Sequence, residues 1–367
     1  MISNLLFILL LSINLIFLFI IIYNFFTAPR IKNIKSTTHS NYKLSILIPA
    51  RNEEKNISHC LDSILNQSFK NYEVIVMNDE SNDNTASIIN EYASKDSRIK
   101  LELGKKLPEG WLGKNWACFQ LSQKATGDLF LFIDADVRLN ENAVSNSVKL
   151  FEEKGLSLIT VFPTQQINGI GAQLVVPLMN WLLLTFLPLK KVYTSPRSSF
   201  VAANGQFILI DRKTYVSIGG HNAVRNQVVE DMELARKVKQ NGLRMITALG
   251  NDSIFCEMYS SLNDSVNGFS KNFFKGFNIS SITFLLMLFF MMILFFTPVI
   301  LIILNINFLL IVSIILIGRV LISQMSKQKV VINVILHFLQ MLVLIFVGIK
   351  SVYAVSSGDI EWKGRKI

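Results

Sequence analysis

The chain opens on an apolar run, Leu5 to Phe26, broken only by Ser12, Asn14, Tyr23 and Asn24. At about 1.5 Å per residue, 22 residues cross a hydrocarbon core of about 30 Å. Residues 1–28 therefore read as a transmembrane anchor. A second apolar region, Ile282 to Ile322, is 41 residues long. It predicts two spans with a tight turn near Asn305 to Asn307 and a kink at Pro298. A third run, Val330 to Ile349, has Lys327 and Lys329 before it and Lys350, Lys363, Arg365 and Lys366 after it. Both flanks carry the charge that marks a cytoplasmic side. One simple span does not satisfy both, so a re-entrant or interfacial helix containing His337 and Gln340 is the alternative. The expectation is a membrane region of two to three helices over 281–350 and a basic tail over 351–367.

Between the apolar ends, over 43–275, the pattern changes to short apolar runs alternating with longer amphipathic stretches. Strands are predicted at Leu44 to Ile48, Glu73 to Met77, Leu129 to Ile133 and Leu156 to Val161. Helices are predicted at Glu53 to Asn66 with Asn52 as N-cap, at Asn84 to Ala93 and at Glu141 to Glu153. Leu129 to Ile133 is apolar throughout, as expected of a strand buried on both faces. Strand–helix alternation implies a mainly parallel α/β sheet with helices on both sides. Such sheets bind ligands at the carboxyl ends of their strands.

Composition sharpens this division. Of the chain, 51% is hydrophobic and only 17% charged, and the shortage of charge lies in the two ends. The formal net charge is +10, but much of the excess flanks apolar segments, where Lys and Arg set membrane orientation and meet anionic lipid. No basic run or reader motif accompanies it, so a nucleic-acid partner is not expected. Arg30, Lys32 and Lys35 follow the first span rather than precede it, and no small-residue cleavage site follows. That predicts an uncleaved anchor, with the α/β region cytoplasmic and the chain a multi-pass protein of the cell (plasma) membrane. Cys60, Cys118 and Cys256 show no metal-ligand spacing and read as reduced, buried thiols.

Four polar clusters fall after predicted strands or open a helix. Asp134-Ala135-Asp136 follows Leu129 to Ile133; in extended backbone, residues two apart point the same way. Both carboxylates can face one hard cation, Mg²⁺ or Mn²⁺, or be two solvated loop carboxylates. Asn78-Asp79-Glu80-Ser81-Asn82-Asp83-Asn84-Thr85 follows the second strand. It reads as a helix cap or as acceptors for a base or ribose. Ile48-Pro49-Ala50-Arg51-Asn52-Glu53-Glu54 follows the first. Glu230-Asp231-Met232-Glu233 opens an amphipathic stretch reaching Asn241, either as a dipole-favoured first turn or as a general base near an acceptor hydroxyl.

In this order and spacing, Pro49-Ala50-Arg51-Asn52-Glu53, Asn78-Asp79-Glu80-Ser81, Asp134-Ala135-Asp136 and Glu230-Asp231 resemble the family 2 glycosyltransferases. These have the nucleotide-diphospho-sugar transferase (GT-A) fold. Three further segments resemble members that glycosylate polyisoprenoid lipids in carotenoid and hopanoid clusters: Pro108 to Ala117, Gly268 to Asn272 and Glu361 to Arg365. The resemblance implies that Pro49, Arg51, Glu53 and Asp79 line the nucleotide, with Asp79 at the uracil. It implies Lys114 at the diphosphate, Asp134 near the ribose or sugar, and Asp136, with Asp134, at the metal. It also implies Asp231, beside Glu230, as catalytic base of a single inverting displacement from a UDP-sugar. The Q-x-x-R-W motif of processive members is missing, which argues against a polymer synthase; Lys271 is the group expected to serve the diphosphate in its place. Ala203-Asn204-Gly205-Gln206 and Gly219-Gly220-His221 would line the acceptor side, with His221 kept structural.

The apolar segment Ile170 to Leu189 contains Pro177, Asn180 and Pro188 and lies between Asp136 and Asp231. A span there would separate those carboxylates across a membrane. Over 170–191 it therefore reads as an interfacial helix pair that admits a membrane lipid or isoprenoid acceptor, or as a buried apolar helix. A sugar nucleotidyltransferase is the competing enzyme, but it would carry a Gly-rich basic loop after the first strand. A transporter or scaffold is the competing non-enzyme, yet the spans hold almost no charge beyond Arg319 and His337.

Overall fold

The structure, a computed structural model, describes residues 2–34, 40–259, 261–358, 361–362 and 365–366. Lys35, Lys363 and Gly364 lie outside the described residues. The strands are β1 (Leu44–Ala50), β2 (Tyr72–Asn78), β3 (Ile99–Leu103), β4 (Leu129–Ile133), β5 (Val137–Leu139), β6 (Leu158–Phe162), β7 (Thr164–Gln165), β8 (Phe207–Asp211), β9 (Met245–Leu249) and β10 (Ile254–Cys256). The helices are α1 (Ile2–Thr27), α2 (Ile57–Leu65), α3 (Thr85–Lys95), α4 (Gly113–Lys124), α5 (Ala143–Lys154), α6 (Ile170–Val175), α7 (Pro177–Phe186) and α8 (Lys190–Thr194). There follow α9 (Arg212–Ser217), α10 (Glu230–Gln240), α11 (Leu262–Phe277), α12 (Ser281–Phe295), α13 (Thr297–Leu301), α14 (Phe308–Met325), α15 (Val330–Ile335) and α16 (His337–Ser357). The chain forms two compact units. The sheet unit comprises 29–164, 190–257 and 361–367; the helical unit comprises 1–28, 165–189 and 258–360.

The sheet unit is built on seven strands in the order β3-β2-β1-β4-β8-β6-β9. Pairs β1–β2, β1–β4, β2–β3 and β6–β9 are parallel, as the alternation predicts. β8 runs antiparallel to both β4 and β6. Its beginning therefore lies where β4 ends, with Ile133 opposite Phe207. Residues 204–206 are thus delivered to the edge that carries the carboxyl ends of β1, β2 and β4.

At the opposite edge the sheet is clamped by a buried carboxylate. Glu73 on β2 accepts from Ser45 Oγ at 2.8 Å, from the Thr126 amide at 2.8 Å and hydroxyl at 2.6 Å, and from Lys100 Nζ at 3.1 Å. Burial works against its charge, but these donors outweigh it and pull its pKa down to about 2. Gly127 makes this closure possible, because a Cβ there would lie 2.7 Å from both Lys43 O and Ser45 N.

Two local expectations differ from what folds. β1 runs on through Pro49, which stands opposite Met77. The ladder to β4 ends at Leu47, so a proline costs no pairing on that side. Helix α2 begins at Ile57, not Glu53. Asn52 is no N-cap; it takes a left-handed φ of 53°. The physical reason is competition: residues 52–54 bond to the β2–α3 loop instead of starting a helix.

Among the described residues, four helices of the helical unit are long and apolar enough to cross a membrane: Asn4–Thr27, Ser281–Leu301, Phe308–Met325 and His337–Ser357. The two asparagines that interrupt the first apolar run are packing points. Asn14 donates to Leu10 O and Leu294 O. Asn24, fully buried, donates to Leu184 O at 2.9 Å and Leu187 O at 2.8 Å and accepts from the Leu189 amide at 2.9 Å. Pro298 falls in the first turn of α13, after a break at Phe296. The third C-terminal run divides at Leu336 into α15 and α16, so its long helix starts later and ends later than Val330 to Ile349. Within 170–189, Pro177, Leu178, Trp181 and Leu184 are buried, with Trp181 edge-on to Phe295 at 5.0 Å.

Candidate active site

The site lies in the sheet unit, where three strand ends, the start of β8 and the start of α10 meet. The β1–α2 and β2–α3 loops are stitched together. Arg51 Nη1 donates to Asp79 O at 2.6 Å and Glu80 O at 3.1 Å. The amides of Asn52, Glu53 and Glu54 donate to Ser81 Oγ, Thr85 Oγ1 and Asp83 Oδ2. The Asn82 amide returns a bond to Asn52 Oδ1 at 2.9 Å. Asn52 and Glu80 each adopt φ 53° in this double loop, a conformation rare for side-chain-bearing residues and held by these bonds. Arg51 is thus engaged with backbone carbonyls. Asp79 is almost fully buried, and a Cβ at Gly104 would stand 3.6 Å from its Oδ1 and 3.2 Å from Asn78 O.

Lys114 on α4 reaches the centre of the cluster. Its Nζ lies 2.7 Å from Asp134 Oδ1 and 3.4 Å from Glu230 Oε1. Burial works against the ammonium, but Asp134 and Glu230 outweigh it and hold the Lys114 pKa well above its ordinary value. Gly205, ahead of β8, leaves the room. A Cβ there would meet Lys114 Nζ at 3.1 Å, Glu230 Oε1 at 3.3 Å and Asp231 Oδ2 at 3.6 Å. One point in space therefore sees the lysine and both carboxylates of the α10 start.

Asp231 accepts from the Gly205 amide at 2.7 Å through Oδ2 and from the Met232 amide at 2.7 Å through Oδ1. Burial, then the neighbouring Glu230, raise its pKa to about 7 despite those bonds. A carboxylate poised near neutrality is a stronger base than a solvated one. Asp136 is pushed up to about 7 as well, first by burial and then by Asp134 and Glu53. Its Oδ1 is buried with no hydrogen-bond partner.

That bare oxygen fits a hard cation. Asp134 is engaged by Lys114 through Oδ1, while Asp136 keeps a buried oxygen with no hydrogen-bond partner. Among the described residues no group of three His, Cys, Asp or Glu side chains could hold a metal. One or two carboxylates, completed by phosphate oxygens and water, is the ligand set magnesium-like ions commonly take.

Two further expectations bear on the site. His221 is buried, bonded through Nδ1 to Tyr215 Oη at 2.9 Å, and kept neutral by burial at a pKa of about 3; it is structural. Lys271 lies on α11, in the helical unit. Cys256 and Gln206 were not legible as neighbours of Asp136. Gln206 Nε2 lies 2.8 Å from Cys256 Sγ, and Cys256 stands opposite Val137 in the β5–β10 pairing. All three cysteines are free and buried; nothing in their spacing signals that one lines a carboxylate.

The sheet order and strand-end cluster define a nucleotide-diphospho-sugar transferase (GT-A) fold. A mannosyltransferase from Pyrobaculum calidifontis, solved with GDP-Man and Mn²⁺, superposes with a TM-score of 0.61. The match covers 96% of this chain and 98% of that one at 15% identity, a likeness of fold. Residues 45–202 match the model of glycosyl transferase family 2. A 4,4'-diaponeurosporenoate glycosyltransferase of Staphylococcus aureus is 30% identical over 247 residues, 65% of this chain and 63% of the relative. Its namesake from Staphylococcus haemolyticus is 26% identical over 250 residues, with the same coverage. The chain thus spans 63% of the length of these curated relatives.

Proposed function

We propose that this chain is a membrane-anchored glycosyltransferase. It moves a sugar, glucose foremost, from a UDP-sugar to a hydroxyl or carboxyl of a lipid acceptor of the carotenoid or isoprenoid class. The observation that carries this reading is the convergence at Gly205: a lysine and two carboxylates, one of them a base of raised pKa, around one small point, in a chain that matches the family 2 model over 45–202. The names of the staphylococcal relatives support the acceptor class and glycosyl transfer.

In this mechanism the double loop holds the uridine, with Pro49, Arg51 and Glu53 shaping it and Asp79 at the base. Asp134 orients the sugar or ribose. Lys114, already balanced between Asp134 and Glu230, turns part of its charge to the diphosphate when the donor enters. Asp231 accepts the acceptor proton as the oxygen attacks the anomeric carbon, the C–O bond to UDP breaks, and configuration inverts. A divalent ion, Mn²⁺ or Mg²⁺, held by Asp136 and in part by Asp134, would neutralise charge on the departing diphosphate. Lys271 is proposed as a further cation for the donor. The basic flanks favour a cytoplasmic sheet unit on a multi-pass protein of the cell membrane. The rate should rise with pH through about 7 as Asp231 ionises.

The test is UDP release by the purified full chain in detergent, with a panel of UDP-sugars, Mn²⁺ or Mg²⁺, and lipid extract as acceptor. Release that needs both metal and lipid supports the reading. The labelled lipid then separates an isoprenoid acid from diacylglycerol, ceramide-like or polyprenyl phosphate acceptors. Turnover of UTP with a sugar phosphate instead would establish a nucleotidyltransferase and overturn it.

A further inference from the structure

The helical unit encloses a charge that the sheet unit's chemistry does not use. Arg319 sits two-thirds of the way along α14 and is completely buried. A guanidinium carries five N–H donors. Here Nη2 donates to Gln340 Oε1 at 2.5 Å and Nε to Asn333 O at 3.5 Å, while Nη1 is buried with no partner. Among the described residues Arg319 forms no ion pair. A cation in this position is expensive and, in membrane segments, generally marks a ligand or ion site.

The surroundings are shaped around it. Asn333, the one buried residue of α15, donates to Ser323 Oγ and Gln328 Oε1 and accepts from Gln173 Nε2. Gln340 Nε2 donates to Gln173 O. These bonds consume the amides against one another and leave the cation without counter-charge. One turn before Gln340 on α16 stands His337, fully buried, with neither ring nitrogen partnered. Its ring lies 6.2 Å from that of Trp181 on α7. Positions three apart share a helix face, so His337 and Gln340 both face inward with the arginine.

We propose that Arg319 and His337 form a site for the anionic headgroup of an amphipathic lipid, a carboxylate or phosphate ester. The free Nη1 edge suits an oxyanion, which Arg engages through paired N–H donors, and His337 adds a third donor. The apolar walls of α14 and α16 take the chain of the lipid. α15, six residues long and turned inward only through Asn333, is the element whose displacement opens the way. This inference stands on the helical unit alone and does not depend on the sugar-transfer reading.

The experiment uses the full chain, delipidated in a neutral detergent, and follows its unfolding by tryptophan fluorescence. Oleate, dioleoyl phosphatidate and dioleoyl phosphatidylcholine are the probes. The site predicts a saturable rise in Tm of about 5 °C at a hundredfold excess over Kd with an anionic probe and none with phosphatidylcholine. A response to oleate alone identifies a carboxylate ligand, and to phosphatidate alone a phosphate. Arg319→Gln should abolish the rise, and His337→Phe, which keeps the charge, should weaken it several-fold. No anion-specific rise, or the same rise in both variants, overturns the proposal. Should Arg319→Gln fail to fold, the His337→Phe result alone decides.

Discussion

Each unit encloses a basic side chain, and the two treat its charge oppositely. In the sheet unit, Lys114 lies between Asp134 and Glu230, with side-chain exposure of 22%. In the helical unit, Arg319 is fully enclosed and meets only amide oxygens. Lys114 is a charge already balanced, which a diphosphate can redirect by competing with carboxylates. Arg319 is a charge awaiting balance. The lesson is that burial alone does not identify a working site; the partners state whether a ligand would displace an interaction or supply one.

The largest effect should come from removing the base. Asp231→Asn keeps the carbonyl that accepts a backbone amide but cannot take a proton. Turnover should fall at least about 100-fold, with UDP and Mn²⁺ still protecting the fold in a thermal shift. Asp136→Ala should lose both turnover and the metal-dependent protection. If Asp231→Asn turns over normally, the catalytic role of the α10 start is wrong.

Next comes the lysine. Lys114→Met leaves Asp134 and Glu230 facing each other without a cation. It should destabilise the protein by about 1–3 kcal/mol, reduced from the fully buried case by its partial exposure. Adding Asp134→Asn should recover part of that loss. A stable Lys114→Met single variant would show the ion pairs to be energetically idle and would weaken the contrast with Arg319.

The third effect is on pH. Asp136 and Asp231 titrate near 7 in the folded chain, against about 3.9 when unfolded. The folded state therefore binds more protons between about pH 4 and pH 7. Their contribution to stability is full below that window and is lost as pH rises through about 7. Tm should be lower at pH 8 than at pH 5.5, by the equivalent of about 1–3 kcal/mol. UDP with Mn²⁺ should restore it at pH 8, and Asp136→Asn should leave only the part of the fall that Asp231 supplies. A profile that rises to pH 8 in the unliganded wild type contradicts the burial of these acids.

The smallest effect probes the helical side. Asn24→Leu leaves the Leu189 amide and the Leu184 and Leu187 carbonyls without their partner. Side-chain hydrogen bonds between membrane helices average about 0.6 kcal/mol and reach about 1.7, so a drop of that size is expected. A neutral or stabilising result would mean that the asparagine serves something other than packing.

Much of this was legible before folding, for local reasons. β4 followed from five consecutive apolar residues, and the strand–helix alternation of the sheet followed from the change of hydrophobic period at Lys43. Residues 52–54 have the local pattern of a helix start, and the groups that compete for them, Ser81, Asp83 and Thr85, are about 30 positions away. The break at Leu336 was invisible because hydropathy does not change there; the amide contacts of Asn333 and Gln340 are made with distant helices. Cys256 looked inert because its relation to Asp136 exists only through strand pairing.

The sequence by itself determined which segments are apolar enough for a bilayer, which strands are buried on both faces, and which acidic clusters follow them. These depend on period and composition, properties of neighbours in the chain. Tertiary structure decided that β8 runs against its neighbours and brings Gly205 to Lys114, that Asp136 keeps an unpartnered oxygen, and that among the described residues no carboxylate pairs with Arg319. Such facts depend on which distant groups share one enclosed volume, because partners and burial set the energy of a charge.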